Sequence, residues 1–449
     1  MNARFLIALL LIPALFSGCG TGARRAAVRR EKQLRAAARL VEADVAAVRT
    51  ARAAALDAFV AGMPLEEKVG QLFIVNLEGN AAFFPVERTG ALFGFPREGK
   101  ALVPGGYVFF HFNLAESPQK IMEFTDSIRT YCLENGIVPP FLAVDQEGGF
   151  VSRLRTVAGP LPSASRVAER LSVAEAYRLY SLQAVQMKAL GFDMNLAPVV
   201  EVCTAENADF LDGRSFGPLE SVLAFSRAAV NAFENAGVGA VCKHFPGNSN
   251  TDPHSGLPEI SVDAERLDSY LLPFRRIVSA RPAGILMSHA RVSSRDAGVP
   301  ACLSGQWISG TLRGEFGYDG IIFSDDVFMS ALAENGYPPE SAAVKAVSAG
   351  ADCIMISEKR FAAPASVLLE AAAQDAVFAA RLDDAARRVV AWKIRHGILE
   401  YAASDSQSGW DAPALEVVPS RRRSPVEERL SAFDAARRGN IDLYIDCFQ

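Results

Sequence analysis

Eight short apolar runs alternate with longer segments of helical composition between residues 71 and 356. The runs cover residues 71–75, 106–110, 141–144, 194–200, 238–242, 284–287, 320–323 and 353–356. Strands that alternate with helices form parallel sheets. Eight such repeats over about 330 residues predict an α/β fold, a closed (β/α)8 barrel of the TIM type. An open, doubly wound sheet is the second choice, because no glycine-rich phosphate loop follows the first run.

Polar residues follow most of these runs at their downstream ends. They are His111 and Asn113, Asp145 to Glu147, Glu201, Lys243 and His244, Ser288 and His289, Ser324 to Asp326, and Glu358. In a parallel barrel these ends meet at one face, and barrel enzymes build their active sites there. The pattern therefore predicts a site at that face.

The stretch from Lys243 to His254 contains the densest group of polar residues that could take part in chemistry. It follows a buried apolar run and breaks at a Pro-Gly pair into a polar loop. Taken alone, His244 is explained as a core histidine and Asp252 as a turn former. Four such residues together, at the end of a rigid strand and on the loop after it, instead favour a functional site.

The Asp252-Pro253-His254 segment has a predictable geometry. Proline pushes the residue before it into extended backbone, and residues two apart in an extended chain point to the same side. Asp252 and His254 are therefore expected to be neighbours. A carboxylate orients an adjacent imidazole and favours its protonated form, which is one way to build a proton donor near neutral pH.

Asp325 and Asp326 are adjacent, so on a strand their side chains point to opposite sides. At most one faces the barrel mouth, and the other is then a structural carboxylate that caps the next helix. Cations at the rim would keep the facing carboxylate ionised. An ionised, positioned aspartate is the nucleophile that glycoside chemistry needs. The residues alone do not decide between the two.

Two further polar positions carry weaker signals. Asp145 precedes a Gln-Glu-Gly-Gly segment whose glycines permit a sharp turn close to a ligand, although a capping aspartate before a helix has the same pattern. Arg214 lies in a loop after the fourth run, where a lone arginine is ordinarily a surface residue.

The first nineteen residues have the features of a secretory signal. A short basic start precedes an apolar stretch of about a dozen residues, too short for a comfortable permanent span. The segment resembles a bacterial lipoprotein signal, with residues 1–18 removed and Cys19 lipidated; an ordinary cleaved signal is the alternative. An exported, membrane-anchored protein facing the periplasm or the cell exterior is expected.

Charge and cysteine spacing exclude several classes of function. The formal net charge of −5 and the pI near 5.7 argue against nucleic acid as the main partner. The seven cysteines show no metal-ligand spacing. Basic clusters at residues 24–35 and 421–423 are interpreted as solvated faces or juxtamembrane contacts rather than recognition surfaces.

The domain organisation predicted from these features has four parts. Residues 1–18 form the signal, residues 19–62 a helical spacer rich in alanine and arginine, residues 63–400 a single catalytic domain, and residues 401–449 a linker and tail. Within the tail, residues 426–438 are predicted to be an amphipathic helix and residues 441–448 an edge strand. No function is inferred for the tail.

Several motifs occur in the order of one known family and are specific only together. They are Lys243 to Gly247 followed by Asp252 and His254, Val144 to Gly149 with Arg153, Asn195 to Val199, Arg214 to Gly217, Met287 to His289, and Phe323 to Asp326. The set resembles the signature of the bacterial β-N-acetylhexosaminidases of glycoside hydrolase family 3, over residues 63–398.

The resemblance implies a (β/α)8 barrel that removes terminal β-linked N-acetylglucosamine with retention of configuration, and that needs no metal or organic cofactor. It maps the nucleophile to Asp325, the acid/base to His254 and the residue that orients it to Asp252. A carbohydrate substrate, from the cell wall or another glycan, and a monomeric state are expected. Contacts to the sugar hydroxyls and acetamido group map to Asp145, Arg153, Arg214, Lys243 and His244.

The chain also departs from the family pattern. The loop after the Pro-Gly pair is shorter than usual, Pro253 lies inside the Asp-x-His pair, and Phe150 stands where an arginine usually follows Glu-Gly-Gly. A β-glucosidase-like relative and a phosphorolytic one stay open as alternatives, as does a non-catalytic lipoprotein that binds sugar or cell wall. The presence of Asp325 and His254 counts against the last.

Overall fold

The computed structural model describes residues 21–85, 103–252, 256–404 and 415–448. Eight parallel strands close into a barrel in which each strand pairs with its neighbours in chain order and the last pairs with the first. The predicted (β/α)8 barrel is confirmed, and the open-sheet alternative is wrong. The barrel strands are β1 (Phe73–Asn76), β2 (Gly106–Phe109), β3 (Phe141–Val144), β4 (Met194–Asn195), β5 (Gly239–Phe245), β6 (Gly284–Met287), β7 (Ile321–Asp326) and β8 (Cys353–Ile356).

Three barrel strands end three or more residues away from their predicted ends. β4 covers only two residues, although Val241 and Lys243 of β5 still donate to the Ala197 and Pro198 carbonyls beyond it. β5 continues through Lys243 and His244, and β7 continues to Asp326. The polar residues predicted to follow these two strands therefore lie on the barrel itself, where the sheet restrains their backbone.

The α-helices follow the strands in the order expected of strand–helix repeats. α5 begins at a capping box in which Ser172 and Glu175 exchange hydrogen bonds between side chain and backbone. A ten-residue π-helix, Gln306–Glu315, lies between β6 and β7. The α-helices are α1 (Thr21–Gly62), α2 (Leu65–Gln71), α3 (Pro118–Asn135), α4 (Ala164–Arg170), α5 (Val173–Leu190), α6 (Ala208–Leu211), α7 (Leu219–Asn235), α8 (Ala264–Ile277), α9 (Ser330–Glu334), α10 (Pro339–Ala349), α11 (Ala362–Gln374), α12 (Ala376–Arg395) and α13 (Val426–Phe448).

Aromatic side chains fill the barrel interior near the amino ends of its strands. The rings of Phe141 and Phe323 meet edge to face, with centroids 6.4 Å apart. Gly106 and Gly284 make this possible, because a Cβ at either position would collide with one of the two rings. The aromatic rings therefore close the interior at this end, which separates it from the polar groups at the carboxyl ends of the strands.

The chain divides into two compact units, residues 1–59 with 401–417, and residues 60–400 with 418–449. The first contains most of α1, a single helix of 42 residues in the region predicted to be a helical spacer. The predicted signal and Cys19 lie outside the described residues. Within the described ranges, no helix is both long enough and apolar enough to cross a membrane.

The C-terminal tail differs from its prediction. Residues 441–448 do not form an edge strand, because α13 continues through them. Phe433, Ala436, Asn440 and Leu443 are buried at helical spacing, and α13 packs against α5. The tail strand is instead Leu415–Pro419, which pairs with Leu399–Ala403. Two shorter pairs join Gln146–Gly148 with Val151–Ser152 and Glu259–Ile260 with Arg291–Val292.

Candidate active site

Four of the charged residues at the barrel mouth form one buried ion-pair network. Lys243 Nζ lies 2.6 Å from Asp145 Oδ1 and 2.7 Å from Glu147 Oε1. Arg214 binds the same glutamate through two nitrogens, at 2.8 and 2.9 Å from its two carboxylate oxygens. The structure therefore brings together three predicted sugar-binding residues, Asp145, Arg214 and Lys243, and adds Glu147.

The network stabilises the charged forms of Glu147, Lys243 and Arg214. Burial alone would raise the pKa of Glu147, but the charges of Lys243 and Arg214 outweigh it and lower the pKa to about 2. Burial alone would lower the pKa values of Lys243 and Arg214, but the neighbouring carboxylates raise both. All three groups are therefore charged at neutral pH.

A second polar cluster surrounds Glu201, which follows β4. Its Oε1 lies 2.7 Å from His244 Nδ1 and also accepts from the His244 backbone N–H at 3.2 Å. Asn248 donates to the same carboxylate at 3.1 Å and accepts from Ser288 Oγ at 2.8 Å. An ionised carboxylate only accepts, so His244 Nδ1 carries a proton and Nε2 of the neutral ring is the acceptor.

Arg153 lies beside this region but outside the ion-pair network. Its guanidinium carbon is 5.9 Å from the ring centre of Phe110, and its backbone N–H donates to the Asp145 carbonyl at 3.3 Å. Its buried Nε finds no hydrogen-bond partner among the described residues. The structure therefore places Arg153 beside the network with its Nε enclosed by protein atoms.

Asp325 and Asp326 occupy different environments, as adjacent strand residues should. Asp326 is buried and accepts from the backbone N–H groups of Phe328 and Ser357 at 3.0 and 3.2 Å, and burial raises its pKa. Asp325 has a positive φ of 69° and a side chain that is 13% exposed. Its Oδ1 accepts from the Asp326 N–H at 2.8 Å.

His289, at the end of β6, lies between Asp325 and a buried cysteine. Its Nδ1 is 3.2 Å from Cys302 Sγ, and its Nε2 is 3.9 Å from Asp325 Oδ2. Burial and the charge of Asp325 raise the pKa of Cys302 well above its usual value, so the thiol keeps its proton. The thiol can donate to Nδ1 or accept from it, so the tautomer of His289 decides whether Nε2 presents a hydrogen or a lone pair to Asp325.

The structure describes only one residue of the predicted Asp-x-His pair, Asp252. Asp252 is exposed, and its carbonyl accepts from the Gly256 N–H at 3.0 Å, whereas Pro253 and His254 lie outside the described residues. The preceding loop is anchored, because Asn250 accepts from the Asp209 N–H at 2.9 Å. The pairing of Asp252 with His254 therefore stays a prediction.

Two glycines that were expected to bring the backbone close to a ligand instead approach another loop. Gly148 and Gly149 have φ values of 111° and 57°, as a sharp turn requires. A Cβ on Gly148 would collide with the Pro162 carbonyl, and one on Gly149 would lie 2.8 Å from the Ser163 Cβ. The close approach is therefore to the protein's own chain.

Four further residues lie in the site that sequence analysis gave no individual role: Glu147, Glu201 and His289, which it named only among the polar residues at strand ends, and Asn248. A signal for the two carboxylates was present, because three predicted cationic or titratable residues at a buried mouth require counter-charges. His289 was marked only by its place at the end of the sixth run, and Asn248 gave no comparable signal. Within the described ranges, no group of three or more His, Cys, Asp or Glu side chains is placed to hold a metal ion.

Comparison with known proteins places this site in a family. The family model described as the glycosyl hydrolase family 3 N terminal domain matches residues 64–392. The chain belongs to glycosyl hydrolase family 3. The polar clusters between Asp145 and Asp326 all lie inside the family 3 match, whereas α13 lies beyond it.

Similar family 3 sequences and structures come from several bacteria. A protein named beta-hexosaminidase from Alkalilimnicola ehrlichii is 35% identical over 273 residues, 58% of this chain and 76% of that protein. A family 3 β-N-acetylglucosaminidase from Paenibacillus has a TM-score of 0.66 and 29% identity, over 84% of this chain and 69% of its own. A β-N-acetylhexosaminidase from Beutenbergia cavernae has a TM-score of 0.63 and 28% identity, over 74% and 99% of the two chains.

Proposed function

We propose that the chain is a retaining exo-β-N-acetylglucosaminidase that hydrolyses terminal β-linked N-acetylglucosamine from cell-wall or other glycans. The observation that supports this most directly is one carboxylate, Asp325, open to a barrel mouth whose other acids are held by partners. The names of the similar proteins, beta-hexosaminidase and β-N-acetylglucosaminidase, point to the same substrate class.

In this proposal Asp325 is the nucleophile. Its carboxylate attacks the anomeric carbon and forms a glycosyl-aspartate as the bond to the leaving oxygen breaks. The N–H of Asp326, 2.8 Å from Oδ1, fixes one oxygen and leaves the other for the sugar. Asp326 itself is engaged by two backbone N–H groups, which is why we assign the reaction to Asp325.

His254 is proposed as the acid and base, oriented by Asp252. It protonates the leaving oxygen in the first step and removes a proton from water in the second, so that the sugar is released with retained configuration. An imidazole acid differs from the usual second carboxylate because it is neutral after it has given up its proton. The short loop that carries it follows directly from β5.

Asp145, Arg153, Arg214, Lys243 and His244 are proposed to bind the sugar. The ion pairs at 2.6 to 2.9 Å hold Lys243 and Arg214 in place before any ligand arrives, so little ordering is left to the binding step. His244 is proposed to offer Nε2 as an acceptor, and Arg153 the terminal nitrogens of its guanidinium as donors, to sugar hydroxyl or acetamido groups.

The leader supports a second part of the proposal, that the protein is anchored to a membrane through a lipidated Cys19. Incorporation of labelled fatty acid into the chain, lost in Cys19→Ala, is the result we expect. An unlabelled but shortened chain would instead indicate an ordinary cleaved signal.

The function is tested by comparing release of an aryl group from aryl β-N-acetylglucosaminide and from aryl β-glucoside, with Asp325→Ala as the control. We expect turnover of the N-acetyl substrate alone, and none in the variant. Preference for the glucoside would contradict the proposed specificity. Absence of turnover on aryl substrates and on a muropeptide would contradict enzymatic function altogether.

The role of His254 has a test of its own. In His254→Ala, substrates with poor leaving groups should lose far more activity than activated aryl substrates, because only the former need a proton in the first step. Equal losses on both kinds of substrate would contradict its role as the acid.

A further inference from the structure

A cavity of about 750 Å3 lies at the end of the barrel opposite the candidate active site. Gly191 and Asp193, which precede β4, and Ala236, which precedes β5, line it. These residues lie at the amino ends of their strands, whereas the site residues lie at the carboxyl ends. A ligand here would therefore be separated from the barrel mouth by the aromatic interior.

The C-terminal tail completes the wall of this cavity. α3 and α5 supply one side, and residues 420–424 and the start of α13 supply the other. This part of the tail lies beyond the residues that match the family. The side chain of Arg423 is only 26% exposed and pairs with Asp126, so the prediction of a solvated face at residues 421–423 is wrong for Arg423.

Positive charge exceeds negative charge along the cavity. Six lysine and arginine side chains and three carboxylates line it. Asp126 pairs with both Arg423 and Arg429, and Asp193 lies 2.5 Å from Arg129 and 3.9 Å from Lys188. Two carboxylates are thus shared among four cations.

The remaining charges lie at the cavity entrance. Arg421 and Arg422 are exposed there, and Arg422 pairs with Glu400 at 3.1 Å. Glu428, the third carboxylate, is also exposed. Even with Glu400 counted, the cations outnumber the acids that face them.

This crowding is visible in the proton affinities of two cations. Burial lowers the pKa of Lys188, and Arg129 and Arg423 lower it further despite Asp193. Burial and the charges of Arg129 and Arg429 lower the pKa of Arg423 to about 10. A bound anion would relieve this mutual repulsion, so the unliganded cavity favours an anionic occupant.

We propose that this cavity binds a phosphate group carried by a small phosphate ester or by a lipid headgroup. Guanidinium forks and a lysine ammonium are the side chains that bind phosphate oxygens most strongly. The excess of charge suits a dianion better than a single carboxylate. The volume is in the range of ordinary small-molecule sites, roughly 300–1,000 Å3. This site is independent of the proposed hydrolase activity.

The first probe is inorganic pyrophosphate, titrated calorimetrically into the full chain. The variant Arg421→Gln/Arg422→Gln removes two entrance charges and leaves the pairs of Arg129, Arg423 and Arg429 in place. Its matched control is Arg437→Gln/Arg438→Gln, which removes two adjacent exposed arginines of α13 that do not line the cavity. Lys188→Gln tests the wall from α5.

We expect pyrophosphate to bind wild type and the control equally, and both cavity variants about tenfold or more weakly, as the loss of a charged hydrogen bond predicts. Hydrolysis of aryl β-N-acetylglucosaminide should be unchanged in all variants and uninhibited by pyrophosphate. No binding to wild type, or equal loss in the control, would overturn the proposal. Equal melting temperatures identify the variants as folded.

Vesicles distinguish the two sources of phosphate. The full chain with Cys19→Ser, which has no acyl acceptor, is sedimented with phosphatidylglycerol and with phosphatidylcholine vesicles. Binding to the anionic vesicles that falls in Arg421→Gln/Arg422→Gln and not in the control assigns the site to a lipid headgroup. Pyrophosphate binding without such vesicle binding assigns it to a soluble phosphate ester.

Discussion

The two halves of the barrel mouth are built in opposite ways. On the side of β3 and β5, Lys243 and Arg214 lie 2.6 to 2.9 Å from the carboxylates of Asp145 and Glu147. On the side of β6 and β7, His289 Nε2 lies 3.9 Å from Asp325, which is beyond hydrogen-bond distance. Within the described residues, the charges of the first half are paired at short distances, whereas Asp325 and His289 of the second half make no hydrogen bond to each other.

This difference separates the residues proposed to hold the sugar from the residue proposed to react with it. Groups in buried ion pairs change their protonation state only at a large free-energy cost. They therefore suit the recognition of an uncharged sugar. A carboxylate with spare bonding capacity can form and break a covalent bond without first losing a partner. The predictions below test this division, beginning with the change expected to have the largest effect.

Replacing the reacting carboxylate should cost the most. In Asp325→Gly we expect turnover of aryl β-N-acetylglucosaminide to fall by about 10^4-fold or more, with KM little changed because the paired half is intact. Added formate should restore part of the activity and give a product of inverted configuration, since it attacks from the vacated side. A variant that keeps about a tenth of the activity would contradict covalent catalysis by Asp325.

A substitution in the ion-paired half should lower the turnover rate less than Asp325→Gly does, and should lower the free energy of unfolding more. Glu147→Gln leaves Lys243 and Arg214 short of a counter-charge, so the free energy of unfolding at pH 7 should fall by about 3 kcal/mol. The measurement is urea unfolding of wild type and variant.

The loss should depend on pH with a definite sign. The folded-state pKa of Glu147, about 2, lies below its ordinary value of 4.5. Its contribution is therefore full above pH 4.5 and is lost as the pH falls toward 2. The difference between wild type and Glu147→Gln should shrink over that interval. A constant difference would show that the loss comes from packing.

An intermediate effect is expected at His289, which faces the reacting half. His289→Asn should lower kcat by about tenfold to a hundredfold with KM unchanged, because a slightly misplaced nucleophile slows only the chemical step. Cys302→Ser, which keeps a donor to Nδ1, should retain more activity than Cys302→Ala. A rise in KM without a fall in kcat would assign His289 to binding.

The smallest effect is expected next to the nucleophile. Asp326→Asn keeps an acceptor for the Phe328 and Ser357 N–H groups and removes a buried charge, so stability should change by less than about 1 kcal/mol and activity should be retained. Asp326→Ala leaves both groups unsatisfied and should cost about 2 kcal/mol or more. Loss of turnover in a stable Asp326→Asn would contradict the separation of the two aspartates.

The barrel could be predicted from sequence because eight apolar runs and the helices between them are local patterns. The partners of the cations could not, because Glu147 and Arg214 meet only after β3 and β4 have paired. The tail helix was predicted too short, since the apolar residues 441–448 suit a strand as well as a helix, and contact with α5 decides between them. The orientation of His254 stays a prediction.

The backbone at Asp325 has a consequence for how this protein can change over time. A φ of 69° is left-handed, a conformation that glycine adopts freely and that an ordinary side chain adopts at a cost of roughly 1–2 kcal/mol. Part of this cost is offset by the hydrogen bond that Asp325 Oδ1 accepts from the Asp326 N–H. The remainder is a stability cost that a lineage is expected to retain only while turnover is needed.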